Sequence, residues 1–261
     1  LLLLDPEELA EQLTLLDFEL FRKIEPSELL GSVWGKRSKK SPSPLAPQNL
    51  EAFIERFNEV SNWVATEILK QTTLKPKKRA EVLSKFIKVA KHCRELNNFN
   101  SLMAIVSALS SSPISRLKKT WEKLSSKYKK LFEELEELLD PSERNFKNYR
   151  EALKSCNKSP NVQPPCVPFL GVYLKDLTFI DEGNPDFLEN GTKGLVNFEK
   201  RRKIAKILRE IRQLQSACQP YNLKPNRNDI QELLRASRPL EVLPEEEDEL
   251  YELSLRIEPR V

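Results

Sequence analysis

The chain has 261 residues, 39% hydrophobic and 31% charged, with 6 Gly, 18 Pro and a net charge of +4. So few glycines exclude Rossmann and phosphate-loop folds, which need glycine in their phosphate turns, while high charge with abundant Leu, Glu and Lys fits an all-α protein. The positive charge is mild and spread along the chain, which reads as a solvated surface rather than a nucleic-acid footprint.

In chain order, Leu1–Leu4 is too short for a signal peptide. Asp5–Pro6 is an N-cap with a proline at the first helical position, and Leu9, Leu13, Leu16, Leu20 and Ile24 mark one helical face up to Pro26. Ser27 and Glu28 restart a short helix that ends near Gly31. Residues 36–47, KRSKKSPSPLAP, form a basic Ser/Pro loop without core residues, read as flexible. From Gln48 a helix carries Leu50, Phe53, Ile54, Phe57, Val60, Val64 and Ile68; Pro76 opens another through Val82, Leu83, Phe86, Ile87 and Ala90. Asn97–Asn98 is a break and an N-cap, and the nearly all-apolar run Leu102–Leu109 predicts a central helix. After a turn at Ser110–Pro113, one charged helix is expected from Trp121 to Leu139. Asp140–Pro141–Ser142 then caps a helix holding Phe146, Tyr149 and Leu153. A Pro-rich loop, 157–168, precedes two further segments, and short helices from Asn228 or Asp229 to Ala236 and over Glu245–Leu253 close the chain. The expectation is one all-α domain, residues 1–261, of about ten helices.

The stretch 166–216 organises the rest. Its first arm, near Val167–Ile180, is apolar almost all round and ends in Asp181 and Glu182. Its second has Ile204, Ile207, Leu208, Ile211 and Leu214 at helical spacing, with Lys and Arg elsewhere. With a short turn at Glu182–Gly183–Asn184–Pro185 between them, the two make a helical hairpin. The basic run Lys200–Lys203 reads as its outer solvated face. An apolar arm with a carboxylate at its end suggests a wedge that meets a partner.

Bond-making chemistry has no visible machinery. The one histidine, His92, is read as a surface helix residue and forms no triad. Cys93, Cys156, Cys166 and Cys218 lack zinc-ligand spacing and fit reduced thiols. Gly191–Gly194, GTKG, lacks the strand and the Lys-Ser/Thr of a phosphate loop. No apolar run approaches the roughly 18 residues of a membrane span. No metal site and no cofactor are expected, and the chain points towards binding another macromolecule.

Six strings in order then become recognisable: LAEQLTLLDFELFRKIEPSELLGSVW at Leu9–Trp34, FNEVSNWV at Phe57–Val64, RELNNFNSLMAIVSALSSSPISRL at Arg94–Leu117, PPCVPFLGVYLKDLTFIDEGNP at Pro164–Pro185, LVNFEKRRKIAKILREI at Leu195–Ile211, and SLRIEPR near the end. Over almost its whole length the chain resembles the catalytic domain of Ras-family guanine nucleotide exchange factors. The resemblance implies an all-α bowl with a protruding hairpin that enters beside switch 1 of a small GTPase, while the core face grips switch 2. By position it assigns Ile54, Met103, Phe146 and Phe169 to the switch 2 pocket and Asn58, Ser110, Ser112 and Lys175 to polar contacts around it. Thr178 and Glu182 fall near the magnesium and α-phosphate sites, with Asn184 in the same region. The helix Asn98–Leu109 is the implied floor.

There are departures from that pattern. Some members carry Leu where Thr178 stands, so steric exclusion of magnesium is weaker here. Glu55 stands where some Ras activators have Arg. The helical exchanger motif that usually precedes this domain is absent from the sequence, so a second regulatory site built partly from it is not expected.

The implied partner is a Ras-subfamily GTPase, Ras or Rap, bound as the nucleotide-free intermediate. The chain is then a monomer without nucleic-acid partner or membrane insertion, cytoplasmic and recruited to the membrane by other domains or by the GTPase. The rival reading is a non-catalytic helical scaffold that binds a GTPase or another protein without exchange. A basic helical nucleic-acid binder is a weaker rival, since aromatic residues do not interleave with the basic ones.

Overall fold

The computed structural model describes residues 4–31, 47–70, 75–142, 145–156, 164–188, 194–216, 221–223, 230–232, 234 and 247–259. These residues are helical, with isolated bridges but no strand. Asp5 caps α1 (Pro6–Lys23) by accepting the Glu7 amide at 2.8 Å. Pro26 then opens a 3-10 turn (Pro26–Leu29). Glu28 of that turn accepts the Leu50 amide at 2.9 Å and the Asn49 side chain at 2.8 Å, capping the start of α2 (Gln48–Leu69) from outside. A proline again begins α3 (Pro76–Glu95). Asn97 takes the left-handed conformation that turns the chain, and Asn98 caps α4 (Phe99–Ser110) by accepting the Ser101 amide at 3.0 Å.

The first four helices pack against one another around α4, which is buried from Phe99 to Leu109 save for Ser107. A helix apolar on every side is stable only when enclosed in this way. One polar knot lies inside. Asp17 of α1 is fully buried and accepts from Ser101 Oγ at 2.6 Å and from Asn98 and Asn100 at 3.1 and 3.4 Å. Burial pushes the Asp17 carboxyl above its usual value, against the pull of the Arg56 guanidinium 3.8 Å away.

The expected helix Trp121–Leu139 is two helices, α6 (Lys118–Glu122) and α7 (Ser126–Leu139), after a single turn, α5 (Ser112–Ser115). The chain breaks at Ser125, which is extended at ψ 151°. In an unbroken helix residues eleven apart stand about 16 Å apart along the axis. The break lets the Trp121 and Phe132 rings meet at 5.1 Å. The next helix, α8 (Lys147–Cys156), begins later than the sequence suggests. Asp140 turns back on Ser142, and Asn145 and Phe146 are both left-handed, at φ 58° and 62°, so Phe146 lies ahead of the helix.

Val167 is not helical; it pairs with Asn97 and Phe99 through backbone hydrogen bonds, and α9 starts only at Gly171 (Gly171–Glu182). Its partner α10 spans Phe198–Ser216. Residues 183–197 separate the two, so the connection is longer than a Gly-Asn-Pro turn. The last helix, α11 (Glu247–Ile257), runs past the expected Leu253 and packs against α2 and α5. There Arg116 donates to Ser254 O and Glu258 O, while the Glu258 carboxylate accepts the Lys119 and Thr120 amides. Residues 230–232 and 234 are helical; the rest of the helix expected over 228–236, the expected loop apart from Pro47, and Cys218 fall outside the described residues. No helix among the described residues is long and apolar enough to cross a membrane.

Candidate functional site

Between α4, α7 and the segment before α9 lies a cleft of about 560 Å³. Met103 and Val106 of α4, Leu139 of α7, Phe146 and Phe169 supply its apolar lining, and Ser110, Glu136, Glu137 and Asp140 its polar edge. The cleft thus brings together Met103 and Ser110 of α4, Phe146 and Phe169 from three separate stretches of sequence. Ile54 is half-buried on α2 and is not among the lining residues. Asn58, one turn further along α2, is exposed, as is Ser112 at the start of α5. Ser110 is already engaged, donating to Glu136 Oε1 at 2.6 Å across the rim.

Phe169 is held from three directions. Its amide donates to the Tyr149 hydroxyl at 3.0 Å, and that hydroxyl donates back to the Phe169 carbonyl at 3.3 Å. Its ring leans on Phe57 at 5.3 Å between centroids. Gly171 gives the ring room, because a Cβ there would lie 2.4 Å from Cζ of Phe169. Phe57 and Tyr149 are contributors that the sequence marks only as helical core positions, so no signal there distinguishes them.

The arms α9 and α10 pack side by side. Val172, Tyr173, Leu174 and Leu177 of α9 are buried, while Lys175 and Phe179 are exposed. The first arm is therefore not apolar all round in its setting, since one face meets the body and its polar residues face out. At the base, Gln215 of α10 donates to the Phe21 and Ile24 carbonyls, both at 2.9 Å, and so ties the hairpin under α1. At the far end, Phe187 and Val196 form an antiparallel bridge. Around it Phe179 is 62% exposed and Phe198 72%, with Phe187, Leu188, Leu195 and Val196 also exposed. Large apolar side chains left open together mark a surface that meets something else.

Charge at this end is arranged by Lys200. It does not belong to a solvated face: its side chain is 3% exposed, and its ammonium lies 2.8 Å from Asp181 Oδ1 and 3.0 Å from Asp186 Oδ1. It also donates to the Asp181 carbonyl, which knits the end of α9 to the first turn of α10. The hydrogen bond to Asp181, joined by that to Asp186, holds the ammonium above the usual lysine value. Arg201, Arg202 and Lys203 are exposed. Lys200 is buried because acids from two other segments converge on it, which no local pattern signals. Asn197, which caps α10 by accepting the Lys200 amide at 3.1 Å, was legible in principle as an Asn ahead of a helical run.

Glu182 sits beside this knot, exposed, with no hydrogen bond or ion pair among the described residues. The Thr178 hydroxyl donates to Leu174 O at 3.0 Å, within its own helix. Asn184 donates to Ile180 O at 2.9 Å and so closes the end of α9. The ammonium of Lys175 lies 5.8 Å from the centroid of the Phe179 ring. Thr178, Glu182 and Asn184 therefore share one end of the hairpin, and Phe146 and Phe169 share the cleft.

Known proteins match this chain closely. The model of the RasGEF domain family matches residues 8–202. The chain is 45% identical over 254 residues to a zebrafish (Danio rerio) protein named Ras-specific guanine nucleotide-releasing factor 2, covering 97% of this chain and 19% of that protein. It is 44% identical over 263 residues to Ras guanine nucleotide exchange factor A of Dictyostelium discoideum, covering 98% of this chain and 41% of the other. It is 46% identical over 262 residues to Cell division control protein 25 of Saccharomyces cerevisiae, covering 100% and 15%. The chain thus spans between about a seventh and two fifths of the length of these relatives.

Proposed function

The chain belongs to the RasGEF domain family, and from that premise we propose that it is a guanine nucleotide exchange factor that promotes GDP release from a Ras-subfamily small GTPase, Ras or Rap. The observation that carries the reading is the hairpin: a prong anchored at its base by Gln215, open and apolar at its far end, with an exposed carboxylate at Glu182. Relatives named as Ras guanine nucleotide-releasing factors support the same activity.

The mechanism is displacement. A ligand held at picomolar affinity has a binding free energy of about 16 kcal/mol. A factor that prefers the nucleotide-free GTPase weakens the nucleotide by the same factor that the nucleotide weakens it. Met103, Phe146, Phe169 and Ile54 take switch 2, with Asn58, Ser110, Ser112 and Lys175 as polar contacts. The hairpin enters beside switch 1. Glu182 places negative charge where phosphate sat, and Thr178 and Asn184 occupy the region of the magnesium ion, whose loss removes the largest positive charge holding the phosphates. No bond is made or broken, so the direction of exchange follows the cellular excess of GTP. The domain works as a monomer without a cofactor of its own, in the cytoplasm, and reaches its membrane-bound substrate through other domains or through the GTPase itself.

Release of a fluorescent GDP analogue tests these roles. Phe169→Ala is expected to lose switch 2 anchoring and slow release at limiting factor by about thirtyfold or more. Glu182→Ala is expected to slow release at saturating factor while still binding the GTPase. Binding of the parent without accelerated release is the result expected of the scaffold reading instead.

A further inference from the structure

The hairpin is fixed at its base and open at its end, and a cleft of about 460 Å³ lies beside its middle, between α8, α9 and α10. The gap leaves α8 and α9 apart along this stretch, so what crosses it bears on the tilt of the hairpin. Among the described residues an ion pair crosses it. Arg150 of α8 meets Asp176 of α9 through two contacts, Nη1 to Oδ2 at 2.8 Å and Nη2 to Oδ1 at 2.9 Å. This forked geometry fixes direction as well as distance.

Arg150 has a second grip. Its Nε donates to the Asn145 carbonyl at 2.9 Å, and its backbone amide donates to the Phe146 carbonyl at 2.9 Å. The Asn145 side chain in turn reaches Asp176 Oδ1 at 3.5 Å. Asn145 and Phe146 are the two consecutive left-handed residues, a conformation that side chains other than glycine leave readily unless held. Phe146 lines the cleft beside Phe169. The same guanidinium therefore holds the hairpin arm and the backbone that presents Phe146.

We propose that Arg150, Asp176 and Asn145 form a strut that sets the tilt of the hairpin and couples it to the position of Phe146. They are positioning residues, acting through α9 and through Phe146. The assignment rests on the exchange reading above for its effect on release, but not for the strut itself.

Asp176→Asn in the full chain tests it with two readouts. Amide hydrogen exchange is expected to rise about tenfold both along α9 and over residues 146–150, with the global melting temperature little changed. Turnover of GDP release at saturating factor is expected to fall about tenfold, with the half-saturating concentration of factor unchanged, because the encounter through the cleft persists while the hairpin engages less often. Arg150→Lys, which keeps the charge but loses the fork, is expected to fall between parent and Asp176→Asn. Unchanged protection over residues 146–150, or turnover equal to the parent, overturns the coupling. A parent that releases no nucleotide from any Ras, Rap or Ral protein overturns the exchange reading instead, and the hydrogen-exchange readout then still decides the strut.

Discussion

Gly171 stands where any side chain meets the Phe169 ring, at 2.4 Å from a built Cβ. Alanine gains little at this first position of α9, and the displaced ring gives up its contact with Phe57. Gly171→Ala is therefore expected to lower thermal stability slightly while displacing Phe169 from the cleft, so that about tenfold more protein is needed for half-maximal nucleotide release. Melting and release measured on the same sample check it; full activity in the alanine variant removes Phe169 from the anchor role. Residues of this kind divide sharply in how well the sequence reveals them. Met103 and Phe146 read as plain core from periodicity, and only the resemblance separated them. Lys200 read as solvated because its partners Asp181 and Asp186 lie on other segments, and burial by distant acids leaves no trace in local spacing.

At the scale of single elements, Asp5–Pro6, Pro76 and Asn98 made the starts of α1, α3 and α4 legible, whereas Asp140–Pro141–Ser142 forms a turn and opens no helix. Breaks were not. Ser125 interrupts one expected helix to bring Trp121 onto Phe132, and the left-handed pair Asn145–Phe146 delays α8; both are tertiary decisions. The start of α2 has a cap from another element. Burial alone pushes the Glu28 carboxyl up, but hydrogen bonds from Asn49, Leu50 and Glu25 outweigh it and hold the group below its ordinary 4.5. An acid whose folded value is depressed adds stability above its unfolded value and loses it as pH falls through the folded one. Glu28→Gln is expected to lower the melting temperature at neutral pH and to flatten its fall below pH 4.5, as read from melting curves across acid pH. Asp17 acts with the opposite sign, since its raised value makes its ionisation count against the fold as pH rises. It is present in both proteins, so their difference isolates Glu28.

For the molecule as a whole, the all-α class followed from composition and the 3.6-residue period, and the packing of α1–α4 around a helix without a polar face followed from the run Leu102–Leu109. The hairpin was legible as two arms and an apolar wedge, but not its long connection or the exposed Phe187, Leu188, Leu195, Val196 and Phe198 around it, because exposure is decided by what the rest of the chain covers. That openness, with the base secured by Gln215, suits a prong that displaces what a partner holds. The most direct measurement is release of a fluorescent GDP analogue from purified Ras, Rap and Ral proteins with and without the chain in excess. Release from Ras or Rap is expected to rise steeply with added chain and to saturate; release that stays at the spontaneous rate for every GTPase in the panel contradicts an exchange role.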